Sequence, residues 1–203
     1  MHQQPLLLAS QSPRRAELLR QIGVVFEPIR VDVEERRAAD EQPEQYVARL
    51  ARQKSAAGAQ LQPGRVSLGA DTIVLCGQRV LEKPIDREDC LAMLALLSGK
   101  RHQVITAVAV THEQRQRHLT CVSQVSFREI SQQEASDYWY SGEPADKAGA
   151  YAIQGLGGVF VQQIEGSYSA IVGLPLYETQ ALLAEFGLQC WQSNGATGPE
   201  LAR

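Results

Sequence analysis

Cysteine is scarce and unclustered. The four cysteines, Cys76, Cys90, Cys121 and Cys190, never stand as C-x-x-C, so the ligand spacing of a zinc knuckle is missing and reduced structural thiols in a cytoplasmic protein are expected. Long apolar runs are missing as well. The opening segment MHQQPLLLASQSPRR has only three leucines in a row, too few for a secretion signal, and no stretch approaches the roughly 20 apolar residues of a membrane helix. No membrane partner is expected. Aromatic residues make up 6% of the chain and its formal net charge is −3, which argues against a nucleic-acid partner, since such surfaces are usually basic and interleaved with aromatics. No G-x-x-x-x-G-K-[ST] loop, Gly-rich kinase loop or G-x-S-x-G elbow is present, so P-loop, protein-kinase and serine-elbow hydrolase frames are set aside.

What is present suits a folded globular chain. Its 203 residues are 44% hydrophobic and 21% charged, enough for a sizeable core. Residues 1–190 read as one unit, with room for two lobes around a cleft, and residues 191–203 as a flexible polar tail. Pro5–Ala9 reads as a buried strand. Ser12 and Pro13 then form a helix start, and Gly23 stops that helix. Val24–Val33 reads as a second strand, and a helix with a Tyr46, Val47, Leu50, Ala51 stripe begins near Pro43. Val66–Ala70 reads as a strand that ends at Asp71. Thr72–Leu75 then pairs with Arg79–Leu81, and Asp86 caps a further helix that Gly99 stops. Val104–Val110 and Thr120–Phe127 read as strands around a polar turn. Ser131 and Glu134 form a capping box. A Gly-rich stretch, a strand at Val159–Ile164 and a last helix from Pro175 to Gly187 complete the chain. Strands alternating with helices give an α/β class.

The first helix start carries an unusual charge. Arg14 and Arg15 occupy its first turn, where the helix already presents partial positive charge and free N–H groups. Such an arrangement suits a bound anion: serine hydroxyls such as Ser10, free amides and a guanidinium fork together fit a phosphate. The alternative is that both arginines face solvent or pair with acids. Asp71 follows a small-residue segment, and Gly69 and Ala70 leave room beside it for a ligand. Glu34-Glu35, Lys54 and Lys83 each read as surface charge when taken singly. Together, Arg14, Arg15, Lys54 and Lys83 supply positive charge for a polyphosphate. Asp71 with a glutamate supplies hard oxygen ligands for Mg²⁺ or Mn²⁺. Phosphoanhydride cleavage needs both sets, cations for the leaving phosphate and a carboxylate or metal to activate water.

Several ordered motifs carry a resemblance. L8-A-S-Q-S-P-R-R15, L50-A-R-Q-K54, G69-A-D-T72, L81-E-K-P84, L97-S-G99, H102-Q-V-I-T-A-V108, D146-K-A-G-A-Y-A-I-Q-G155 and S169-A-I-V-G-L-P-L176 resemble Maf-type proteins over residues 6 to 187. The resemblance implies a mixed, twisted sheet flanked by helices around a deep cleft, related to the ITPase-like folds. It also implies a homodimer and hydrolysis of a nucleoside triphosphate to the monophosphate and pyrophosphate with a divalent cation (Mg²⁺, Mn²⁺ or Co²⁺). Asp71 is then the expected proton acceptor. Ser10, Arg14, Arg15, Glu35, Lys54 and Lys83 are the expected phosphate and metal shell, with Glu35 and Asp71 on the metal side. The G142-to-G155 run resembles the branch acting on dTTP and UTP, with Arg14, Thr72 and Gln154 as residues tuning base choice. The rival to an enzyme is a nucleotide-binding regulator of cell division that does not turn its ligand over; an intact Asp71 and Lys83 favour the enzyme.

Overall fold

A computed structural model describes residues 4–191; the expected tail lies outside the described residues except for Trp191, whose N–H donates to the Ile22 carbonyl at 2.8 Å. The elements are β1 (Leu6–Leu8), α1 (Pro13–Gln21), β2 (Phe26–Pro28), α2 (Pro43–Leu61), β3 (Ser67–Cys76), β4 (Arg79–Leu81), α3 (Arg87–Leu97), β5 (Arg101–His112), β6 (Arg115–Phe127), α4 (Gln132–Tyr140), β7 (Val161–Glu165), α5 (Tyr168–Val172) and α6 (Leu176–Glu185). Short 3-10 turns occupy Glu143–Asp146, Ala148–Ala150 and Leu156–Phe160. The sheet runs β2-β1-β3-β5-β6-β7, with β4 also paired to β3. β1 is parallel to β2 and β3, and every other pairing is antiparallel. The class is therefore α/β with a mixed sheet and helices on its faces.

Both faces of the central strands are covered, which explains the unbroken apolar run in β5. Val108 and Val110 face a core shared with α1 and α6. Ile105, Ala107 and Ala109 face the opposite way, against Tyr46, Val47, Leu50 and Ala51 of α2. A third cluster joins α3 and α4 to Val104, Val125 and Phe127. β3 follows the same alternation: Leu68 and Ala70 face the α1 side, and Ile73 faces α2.

Three expectations need correction. The second strand shrinks from Val24–Val33 to Phe26–Pro28, because only these residues pair with β1. The polar turn between the two long strands narrows to Glu113 and Gln114, since β5 and β6 pair as far as His112 and Arg115. Asp71 does not end a strand. It sits inside the ten-residue β3, paired opposite Ala107 of β5.

Candidate active site

The site begins as an interruption in the sheet. On one edge β3 pairs with β5 from Ser67 to Leu75. On the other edge β1 pairs only with Ser67 and Leu68, and β4 takes over only at Val74. Between them that edge has no strand partner among the described residues, and a cleft of about 440 Å³ opens there. Residues pointing to opposite faces of the strand can therefore reach one cavity. Asp71 approaches from the α2 side and Thr72 from the α1 side, and both line the cleft. Helix α2 crosses that face at close range. A Cβ on Gly69 would lie 2.4 Å from the Ser55 amide nitrogen and 2.6 Å from the Ala51 carbonyl oxygen. The room beside Asp71 that the small residues provide is thus filled by helix backbone, not by ligand.

This close packing delivers Lys54 to Asp71. The ammonium Nζ lies 2.7 Å from Asp71 Oδ1 and 2.6 Å from Glu35 Oε1. Asp71 and Lys54 are buried, and Glu35 is half-exposed at the rim. The two acids are pushed apart in proton affinity. Burial raises Asp71 above the usual carboxylate range, against the pull of Lys54 and Arg15. Burial acts the same way on Glu35, but the Lys54 hydrogen bond and charge, with Lys83 and Arg15, hold it below its ordinary value. Such a split assigns different protonation behaviour to neighbouring carboxylates. Glu34 is exposed and lines a separate shallow groove with Arg36 and Arg37, so of the two glutamates only Glu35 meets the cleft.

The opposite wall is built on α1. Its N-cap Ser12 makes no side-chain cap and its first turn holds no acid, leaving its amides open to an anion. The Arg15 guanidinium is held from three directions: Nε donates to the Gly173 carbonyl at 2.9 Å, Nη1 to Ser10 Oγ at 3.2 Å and Nη2 to Thr72 Oγ1 at 3.3 Å. One N–H on each terminal nitrogen is left over. Ser10 Oγ also accepts from the Ser12 amide, so its own proton is free to donate into the cleft. Thr106 donates to the Ala170 carbonyl, which makes Thr72 the donor in its 2.9 Å contact with Thr106. Thr72 therefore anchors Arg15, and only a lone pair remains for any other partner. Arg14 turns to the rim, with Nη1 3.2 Å from Asp146.

Lys83 and Gln154 line the same cleft. Both are exposed, and the Gln154 side-chain amide has no hydrogen-bond partner among the described residues. All nine residues singled out from the sequence thus border one cavity.

Residues 5–186 match the family described as Maf-like protein. The chain belongs to the Maf-like family. Curated relatives of this Maf-like chain are close. A "dTTP/UTP pyrophosphatase" of Saccharophagus degradans is 58% identical over 93% of this chain and 91% of its own length. Proteins of the same name from Vibrio cholerae and Vibrio parahaemolyticus are 56% and 53% identical, each over 89% of this chain and 97% and 96% of their own lengths.

The Maf-like cleft also holds residues that sequence reasoning passed over. The Tyr46 hydroxyl lies 3.0 Å from the Glu35 carbonyl and 3.1 Å from Glu82 Oε1. Burial and the charges of Glu82, Asp71 and Glu35 push its ionisation upward, so it stays a neutral donor beneath the acids. In the sequence Tyr46 is one member of an apolar helical stripe, and nothing marks its hydroxyl as engaged. Glu82 stands beside Lys83 and could have been found by that adjacency. Asp146 and Lys147, paired to each other at the rim, were visible inside a motif but without a role.

Proposed function

We propose that this chain hydrolyses dTTP and UTP to the monophosphate and pyrophosphate, as the names of its curated relatives suggest. The observation that carries the chemistry is Asp71: a buried carboxylate with raised proton affinity, held by Lys54 in a cleft whose other wall presents Arg15, Ser10 and an open helix start. In this proposal water adds to the α-phosphorus and gives its proton to Asp71. The bridging P–O bond then breaks and pyrophosphate leaves. The two spare N–H groups of Arg15, the Ser10 hydroxyl and the α1 amides hold phosphate oxygens, and Lys83 offsets charge developing on the leaving group. Arg15, Ser10 and the α1 amides are held in place before substrate arrives, so little reorganisation of these donors accompanies the reaction.

A divalent cation fits the donor set. Glu35 and Asp71 converge on Lys54 through one oxygen each, so their second carboxylate oxygens would hold the ion, and among the described residues no three His, Cys, Asp or Glu cluster tightly enough to hold a metal alone. One or two carboxylates completed by substrate phosphates is the usual arrangement for Mg²⁺. When bound, the ion would neutralise phosphate charge and lower the pKa of water. Gln154 is assigned to the pyrimidine edge, where its free amide meets a neighbouring donor and acceptor. Homodimer formation in the cytoplasm belongs to the same proposal and rests on the family resemblance; sedimentation velocity tests the assembly.

The test of the chemistry is pyrophosphate release from UTP, dTTP and GTP with Mg²⁺, by wild type and Asp71→Asn. Loss of the base should lower kcat on the order of 10²–10⁴-fold with the melting temperature kept, because Lys54 still has Glu35. Near-normal turnover by folded Asp71→Asn removes it as the base. Binding of UTP without turnover by wild type would favour the regulator instead.

A further inference from the structure

The Gln154 amide is free, yet the turn that carries it is fastened with unusual care. On α4, Tyr138 is buried and its hydroxyl donates to Glu143 Oε1 at 2.7 Å. The same hydroxyl oxygen accepts the Ala152 amide at 3.1 Å. Glu143 accepts two more amides, Leu156 N–H on Oε2 at 3.0 Å and Gly157 N–H on Oε1 at 2.9 Å. One tyrosine and one carboxylate thus grip the backbone on both sides of Ile153 and Gln154, which with Ala152 line the cleft. Burial alone would raise the Glu143 carboxyl; the Gly157 amide, the Tyr138 hydroxyl and the Leu156 amide reverse this and hold it charged.

Steric fit matches the hydrogen bonding. A Cβ on Gly155 would lie 2.0 Å from Glu143 Oε2, and one on Gly157 2.6 Å from the Tyr138 hydroxyl. Neither glycine has a backbone angle that demands glycine. Their lack of a side chain serves the approach of the carboxylate and the phenol. None of the four residues lines the cleft, so none can touch a nucleotide directly. No step of the phosphate chemistry uses them either.

We propose that Tyr138 and Glu143 are positioning residues for base selection, acting through the 152–157 turn to hold Gln154 at the edge of a pyrimidine. The inference rests on the pyrimidine assignment above, and its test separates the two. Steady-state kcat/KM for UTP and for GTP is measured for wild type, Tyr138→Phe, Glu143→Gln, Gln154→Ala and the Tyr138→Phe/Gln154→Ala double variant, with circular dichroism and melting to establish folding. Tyr138→Phe strips the Ala152 amide of its acceptor, and Glu143→Gln keeps the shape but places an N–H₂ against a backbone N–H. Each should lower the UTP:GTP ratio about 5- to 20-fold, chiefly through KM for UTP. In the double variant the ratio should fall no further than in Gln154→Ala alone, the signature of two residues acting through one contact. Purely structural damage would slow both nucleotides alike and leave the ratio untouched. An unchanged ratio in the folded single variants, or a fully multiplicative drop in the double, overturns the inference while leaving a pyrimidine-preferring wild type intact. Should Tyr138→Phe fail to fold, Glu143→Gln paired with Gln154→Ala carries the same comparison. A wild type without preference for UTP over GTP strikes the pyrimidine assignment itself, and the inference goes with it.

Discussion

At the scale of single residues the site turns on one ammonium serving two acids. Lys54 and Asp71 are both buried, so removing the ammonium strands the carboxylate's charge away from water. Losing the cation of a buried pair typically costs about 3–5 kcal/mol, whereas Asp71→Asn keeps an amide oxygen for Lys54 to donate to and leaves Glu35 2.6 Å from the ammonium. Lys54→Ala is therefore expected to lose both activity and about 2–4 kcal/mol of stability, measured by urea denaturation, while Asp71→Asn loses activity with little change in stability. Equal losses in the two variants would show that Glu35 does not hold Lys54 once the Asp71 charge is gone. The residue types were legible in the sequence: cations and hard acids in numbers suited to a polyphosphate. Their pairing was not, because 17 positions separate Lys54 from Asp71 and each alone reads as surface charge.

At the scale of elements the decisive contact is α2 against β3. Gly58 of the helix and Gly69 of the strand both sit where a methyl group would collide; the Gly58 Cβ would fall 2.2 Å from Ser67 Oγ. At Gly69 the obstruction is helix backbone, which cannot swing aside as a flexible side chain does. Gly69→Ala should push the helix off the strand, lower stability by about 2–4 kcal/mol and move Lys54 away from Asp71, so that kcat/KM falls even though no cleft residue has changed. A melting temperature and turnover equal to wild type would show the contact to be looser than described. The same contact explains a misreading of the sequence. Gly-Ala-Asp-Thr has the composition of a strand end, yet β3 runs on through it to Cys76, and the helix lysine compensates the charge of Asp71 inside the strand. α5 escaped notice for a related reason: its five residues, Tyr168–Val172, are too few to show periodicity, and its place is fixed by contacts to Arg15 and Thr106 through Gly173 and Ala170. Elements with their own period or caps, such as α2, α4 and β5, were legible because local rules suffice to define them.

At the scale of the whole molecule, a histidine buried on a central strand couples folding to acidity. His102 at the start of β5 is buried between Phe127 and Tyr151, with Nε2 2.9 Å from the Tyr151 hydroxyl. Burial drives its pKa from 6.5 down to about 4, against a weaker opposing pull from the Lys100 backbone. The unfolded chain therefore takes up a proton below pH 6.5 that the folded chain refuses until about pH 4. This stabilisation is fully present above pH 6.5 and drains away as pH falls toward 4, by about 2 kcal/mol between pH 7 and pH 5. His102→Gln should show a flatter dependence of melting temperature over that interval; an identical slope in both proteins would clear His102 of the effect. The interruption in the sheet, finally, has a consequence for how such a chain can change its length. Successive residues of β3 lie on opposite sides, so one residue inserted or deleted between Leu68 and Val74 would swap the sides on which acid and hydroxyl emerge, facing Asp71 toward Arg15 and Thr72 toward Lys54. No half-measure lies between the two arrangements. Insertions should accumulate at the Glu113-Gln114 hairpin tip, where an added residue alters nothing in the cleft, while the spacing from Ser67 to Val74 stays invariant in every working relative.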